Sequence, residues 1–77
     1  MASLSARYPN VPNIAMSPGI EEGAWRQLEP YRDWSIAQLD MYSTDMLIMS
    51  PDEKRLVLLS GHAVTLWYSL RQSAAIR

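Results

Sequence analysis

The sequence predicts a mainly α-helical domain of two or three short helices, preceded by an extended N-terminal arm over residues 1–17. Serine–proline pairs at residues 17–18 and 50–51 are helix-start signals, because serine can cap the first turn and proline fits the first helical position. An apolar stripe at helical spacing covers residues 56–74. We therefore divide the 77-residue chain into the arm and a small helical domain over 18–77.

Residues 1–17 contain prolines and asparagines, which interrupt both helical and strand patterns. Apolar side chains lie irregularly between them, which is unusual for a solvated tail. The arm is therefore predicted to dock, either on the protein's own core or on a partner. Its candidate contact residues are Tyr8, Val11, Ile14 and Met16.

Three helical segments are predicted in the domain. The first covers 18–28, with acidic residues in its first turn and Pro30 after its end. The second begins at Asp33, a capping residue, and reaches Met46. The third covers 51–73, and the glycine at its centre is a position where the helix could bend or break.

A three-stranded β-meander over 46–70 is the alternative, and it would make the fold α+β. Its strands would be 46–49, 55–60 and 63–69, with a turn at 51–54. Periodicity does not separate a short buried strand from a helical turn in a continuous apolar run. Both interpretations remain open on the sequence.

In the strand interpretation, residues 50–57 followed by 64–67 resemble part of one blade of a WD-repeat propeller, over about a third of the chain. The segment departs from that pattern at Glu53, where such blades have glycine, and at Tyr68, where they have aspartate. One blade cannot bury both of its faces alone, and the sequence contains no second copy. We therefore do not expect a propeller.

No pattern of polar residues predicts catalysis or metal binding. The chain has no cysteine and one histidine, His62, and the neighbouring Ser60 would point to a different side of a helix or turn. The acidic pairs at 21–22 and 52–53 lie where the first turns of the predicted helices attract acids. We expect no enzyme activity, no cofactor, no metal and no small-molecule substrate.

Charge and hydropathy argue against two further classes of partner. The formal net charge is −1 and basic residues form no run, which disfavours nucleic acid. No apolar run reaches the roughly 18 residues that a membrane helix needs. Because the sequence lacks cysteine and shows no secretion signal, we expect a cytoplasmic protein or one within a virion.

Large apolar residues favour a contact function. The chain has 3 tryptophans, 4 tyrosines and 5 methionines, residue types that are enriched at interface centres. Two tryptophans lie near predicted helix ends, and four apolar residues lie outside the main stripe of the C-terminal helix. These candidate partner-binding residues are Trp25, Trp34, Val57, Leu58, Val64 and Tyr68.

The sequence therefore predicts a non-catalytic interaction protein or a structural subunit of a larger assembly, such as a viral or phage particle or a multisubunit complex. It would dock on a protein partner or on a second copy through its arm and its apolar C-terminal helix. The alternative is a small inhibitor or regulator that binds and blocks a single target protein.

Overall fold

A four-stranded mixed β-sheet organises the computed structural model, which describes residues 3–18 and 23–76. The strands are β1 (Asn13–Met16), β2 (Ser35–Leu39), β3 (Met46–Met49) and β4 (Leu56–Gly61). They lie in the order β1-β4-β3-β2, so β1 and β2 are the two edge strands. β1 is parallel to β4, whereas β3 is antiparallel to both β2 and β4. The helices are α1 (Leu4–Arg7), α2 (Trp25–Leu28), a 3-10 turn at Glu29–Tyr31, and α3 (His62–Ile76).

The protein's own residues cover the two inner strands on both faces. On one face, α2 and α3 pack over a large cluster that we call the helix-side core, which includes Leu28, Trp34, Met46, Ile48, Val57, Leu59 and Trp67. On the other face, the N-terminal residues cover a smaller cluster that we call the arm-side cluster, formed by Leu4, Leu47 and Leu58. Alternate residues of β3 and β4 therefore enter two different apolar clusters.

The mainly α-helical prediction is wrong, and the α+β alternative is the one that fits the sheet. Because β3 and β4 are covered on both faces, their sequences are continuous apolar runs without the alternation typical of a half-exposed strand. The predicted meander is correct for its first two strands. Its third strand, 63–69, is wrong, since these residues belong to α3.

The predicted helix start at Ser50 is the turn between β3 and β4. The Ser50 Oγ accepts hydrogen bonds from the backbone N–H groups of Lys54 and Arg55, at 3.2 and 3.0 Å, and the hydroxyl donates to Asp52. Glu53 takes a left-handed conformation with φ 61°. The serine hydroxyl that could cap a helix therefore accepts hydrogen bonds from the backbone N–H groups of this turn instead. The helix predicted over 51–73 is therefore replaced by a turn, β4 and a helix that begins at His62.

The other two predicted helices are also corrected. Within the prediction over 18–28, the described residues are helical at Trp25–Leu28, and residues 19–22 lie outside the described part of the chain. The prediction from Asp33 to Met46 is wrong, because this segment forms β2 and a loop. The i,i+3 spacing of its apolar residues comes from a register shift in β2 and not from a helical turn.

The described part of the predicted arm packs across one face of the sheet and supplies its edge strand β1. The Leu4 N–H donates to Asp40 Oδ2 at 3.1 Å, and the hydroxyl of Tyr8 donates to Gln38 Oε1 at 3.1 Å, so the segment begins near the end of β2. It then crosses the sheet, where the carbonyl of Pro12 accepts from the Leu58 N–H at 2.9 Å. The segment ends by adding β1 as the parallel edge strand.

Gly61 lies where β4 ends and α3 begins. Its φ is 61°, and a Cβ at this position would lie 2.6 Å from the carbonyl oxygen of Met16 in β1. Glycine alone accepts both the left-handed conformation and this approach of neighbouring backbone. The chain can therefore turn directly from the strand into the helix that covers the sheet.

Candidate partner-binding surface

Most residues that were predicted to contact a partner are packed within the protein. Tyr8, Val11 and Leu58 belong to or pack against the arm-side cluster. The helix-side core contains or contacts Ile14, Met16, Trp34, Val57 and Val64. Trp25 and Tyr68 remain exposed. Two of the predicted residues are therefore exposed, while Tyr8, Val11 and Ile14 are partly buried.

Two of the three tryptophans pack between the helices and the sheet. Trp67 in α3 is fully buried, and its Nε1 donates to the carbonyl of Tyr31 at 2.8 Å. Trp34 packs edge-to-face on the Tyr31 ring with centroids 4.8 Å apart, and the Arg55 guanidinium lies 5.1 Å from the Trp34 ring centroid. Trp34 and Trp67 are therefore core residues, and their size is explained by packing.

A group of exposed apolar side chains lies on β2 and the loop that follows it. Its members, which we call the β2 edge surface, are Ile36, Leu39, Met41 and Tyr42, with exposed fractions of 39%, 58%, 84% and 67%. Four of the six large apolar side chains exposed within residues 3–18 and 23–72 thus occur within one short segment. Clustering of this kind is typical of a contact site, whereas single exposed apolar residues are ordinary.

A register shift between Ile36 and Gln38 sets the direction of the side chains on β2. Ile36 is paired with Ile48 and Leu39 with Met46, and both partners belong to the helix-side core. Since paired residues in a sheet share a face, Ile36 and Leu39 project on the helix side although they are three residues apart. They extend the apolar face of the sheet beyond the part that the helices bury.

The outer edge of β2 lacks two common kinds of edge protection, charge and proline. No other strand in the described part of the chain pairs with this edge. The five residues of β2 include neither a charged residue nor a proline, which are the common means of blocking unwanted pairing. Exposed backbone groups beside apolar side chains make β2 suited to contact with another protein.

The segment around β2 is acidic throughout. Residues 33–53 contain five acidic residues and no lysine, arginine or histidine. Asp33 precedes β2, and Asp40 and Asp45 bound the loop between β2 and β3. All seven basic residues and the other three acidic residues lie in the remainder of the chain. This separation of charge was visible in the sequence and is the signal that our sequence interpretation missed.

Asp40 links the β2 edge surface to the N-terminal residues. Its Oδ1 accepts from the Tyr42 N–H at 2.8 Å, and its Oδ2 accepts from the Leu4 N–H at 3.1 Å. These backbone hydrogen bonds favour the charged carboxylate, and they lower the pKa of Asp40 from its usual value. Hydrogen bonds from the Ser50 hydroxyl and the Lys54 N–H lower the pKa of Asp52 in the same way.

We expect the protein to lose stability in acid through these two carboxylates. Because both pKa values are lower in the folded state than the usual 3.8, their contribution is complete above that value and is lost as the pH falls through the folded pKa values. The variants Asp40→Asn and Asp52→Asn should each show a smaller loss of stability between neutral pH and about pH 3. Urea denaturation at both pH values measures this difference. An unchanged loss in both variants would contradict the assignment.

Within 3–18 and 23–76, no group of three or more His, Cys, Asp or Glu residues could hold a metal ion. In the same part of the chain, no helix is long and apolar enough to cross a bilayer.

The fold and this surface define a small α+β protein whose edge strand β2 carries exposed apolar side chains and is flanked by aspartates. Comparison with known proteins found no matching family model, curated protein or solved structure. The functional interpretation therefore rests on the chemistry of the surface.

Proposed function

We propose that this protein is a non-catalytic structural subunit that acts by protein–protein contact within a larger assembly, such as a viral or phage particle or a multisubunit complex. The observation that supports this proposal is the β2 edge surface, where four large apolar side chains adjoin a free strand edge. Covering apolar surface stabilises a complex by about 25 cal/mol per Å² removed from water, before the costs of association.

The partner in this proposal is a protein, and we take a second copy of the chain as the first partner to test. An apolar surface that is also charged favours a partner of opposite charge, which a structural subunit can supply from another part of its own surface. A chain without cysteine needs no oxidising compartment, and we extend the proposal to a location in the cytoplasm or within a virion.

Replacing Ile36 and Leu39 together by threonine is expected to weaken self-association at least tenfold. Threonine keeps the strand preference of β2 but removes most of the exposed apolar area. Analytical ultracentrifugation should show a concentration-dependent oligomer for the unaltered protein and at least a tenfold weaker association for the double variant. Far-UV circular dichroism should show that both remain folded.

The matched control is Ala15→Thr, which places the same side chain at an exposed position on β1, the opposite edge of the sheet. This control should associate as strongly as the unaltered protein. If the unaltered protein is a monomer up to about 1 mM, the proposed self-association is wrong.

A further inference from the structure

The exposed aromatic residues away from β2 lie on the helices and beside arginines. Trp25 in α2 is exposed, and the Arg26 guanidinium lies 5.6 Å from its ring centroid. Tyr68 in α3 is exposed, and Arg71 lies three residues further along the same helix. α2 and α3 contact each other. We call Trp25, Arg26, Tyr68 and Arg71 the helix surface.

The helix surface and the β2 edge surface have opposite charge. Arg26 and Arg71 are the charged residues of the helix surface, and within residues 3–18 and 23–72 neither forms an ion pair, whereas Arg32 pairs with Glu29 at 2.8 Å. The β2 edge surface is bounded by aspartates and lies in a segment without basic residues. Each surface therefore combines exposed apolar groups with charge of one sign, and the signs are complementary.

We propose that the helix surface of one copy covers the β2 edge surface of the next copy, so that subunits meet head to tail. This inference rests on the proposed function and specifies how the subunits make contact. Tryptophan, tyrosine and arginine are the residue types that contribute most at interface centres, and the helix surface contains all three. The aspartates around β2 supply the partners for its arginines.

The same charges disfavour a symmetric contact between two β2 strands. In an antiparallel pair of this kind, the start of each strand lies beside the end of the other. Asp33 of one copy would then approach Asp40 of the second copy, and this would occur at both ends of the pair. Like charges placed opposite each other destabilise strand pairing, whereas a head-to-tail contact avoids them.

A head-to-tail contact also has a consequence for the size of the assembly. Because each subunit uses two different surfaces, every pair leaves one β2 edge surface and one helix surface unoccupied. Further copies can add at both ends until a ring closes or a filament forms. The unaltered protein is therefore expected to form species larger than a dimer.

Complementation between two variants tests this arrangement. The first variant carries Ile36→Thr and Leu39→Thr and keeps only the helix surface. The second carries Arg26→Glu and Tyr68→Glu and keeps only the β2 edge surface. Each should be a monomer by itself, and their equimolar mixture should sediment as a heterodimer without larger species. Association of the unaltered protein should weaken at least tenfold between about 50 mM and about 500 mM salt.

Each alternative outcome identifies a different error. If the second variant associates as strongly as the unaltered protein, the contact is between β2 strands, and the head-to-tail inference fails while the proposed function stands. A mixture that yields no heterodimer from two folded variants also overturns the inference. If the unaltered protein remains a monomer up to about 1 mM, the self-association proposed above fails as well.

Discussion

Gly61→Ala is expected to lower the free energy of unfolding by about 2–4 kcal/mol. The added Cβ would lie 2.6 Å from the carbonyl oxygen of Met16, in a residue whose φ of 61° already disfavours a side chain. That oxygen belongs to the backbone of β1, so it cannot move away without disturbing the pairing of β1 with β4. Urea denaturation followed by circular dichroism measures the loss.

Gly23→Ala is the matched control for this prediction. Gly23 also has a positive φ, 82°, but a Cβ at this position would have no atom within 4 Å among the described residues beyond its chain neighbours. This variant should therefore lose only the conformational term, about 1 kcal/mol. The difference between the two variants measures the close approach of Gly61 to β1. Equal losses would show that this approach does not constrain the fold.

Trp67→Ala is expected to have the largest effect of any single substitution considered, about 3–5 kcal/mol. Trp67 is fully buried in the helix-side core, and its Nε1 satisfies the carbonyl of Tyr31. Removing the ring leaves a cavity between α3 and the sheet and a carbonyl without its donor. Since domains of this size have a total stability of about 4–12 kcal/mol, much of the variant should be unfolded at 37 °C.

Two further tryptophan substitutions separate the hydrogen bond of Trp67 from its packing and compare a buried ring with an exposed one. Trp67→Phe keeps most of the apolar volume but removes the hydrogen bond to Tyr31, and we expect a loss of about 1–3 kcal/mol. Trp25→Ala removes an exposed ring and should cost less than about 1 kcal/mol. Thermal unfolding of the three variants orders these effects. A stable Trp67→Ala protein would contradict the position of α3 on the sheet.

The sequence contained signals that are compatible with the two inner strands. The runs at 46–49 and 56–59 are short, apolar and bounded by turn residues, as expected of strands that are buried on both faces. The helix interpretation arose because serine, proline and an acidic residue serve both a helix start and a tight turn. At Ser50, the hydroxyl accepts from backbone N–H groups, as it would in a helix cap.

The apolar stripe over 56–74 combined two different structures. Leu59 lies on β4 and Trp67 on α3, and both belong to the helix-side core, whereas Leu56 packs against the arm-side cluster. Because Gly61 joins β4 to α3 with a sharp change of direction, strand and helix residues of the stripe meet in the helix-side core without belonging to one helix. A glycine at the centre of the stripe was the local signal for this change.

The β2 edge surface could not be predicted from local patterns. Its exposure depends on which strand lies at the edge of the sheet, and this depends on pairing between segments that are distant in the sequence. The spacing of Ile36 and Leu39 was typical of a helix. Only the register shift in β2 explains how two residues at this spacing can lie on the same face of a strand. The acidic composition of 33–53 was the one feature of the surface that needed no structure.

The parallel pairing of β1 with β4 determines when this protein can fold. Asn13 is registered with Leu58, so the first strand finds its neighbour only after most of the chain has left the ribosome. Closing such a long loop costs entropy before any contact compensates for it, and proteins with distant contacts fold more slowly than helical bundles. Until synthesis passes Gly61, β1 has no strand to pair with, and its apolar side chains stay exposed to chaperones and to neighbouring nascent chains.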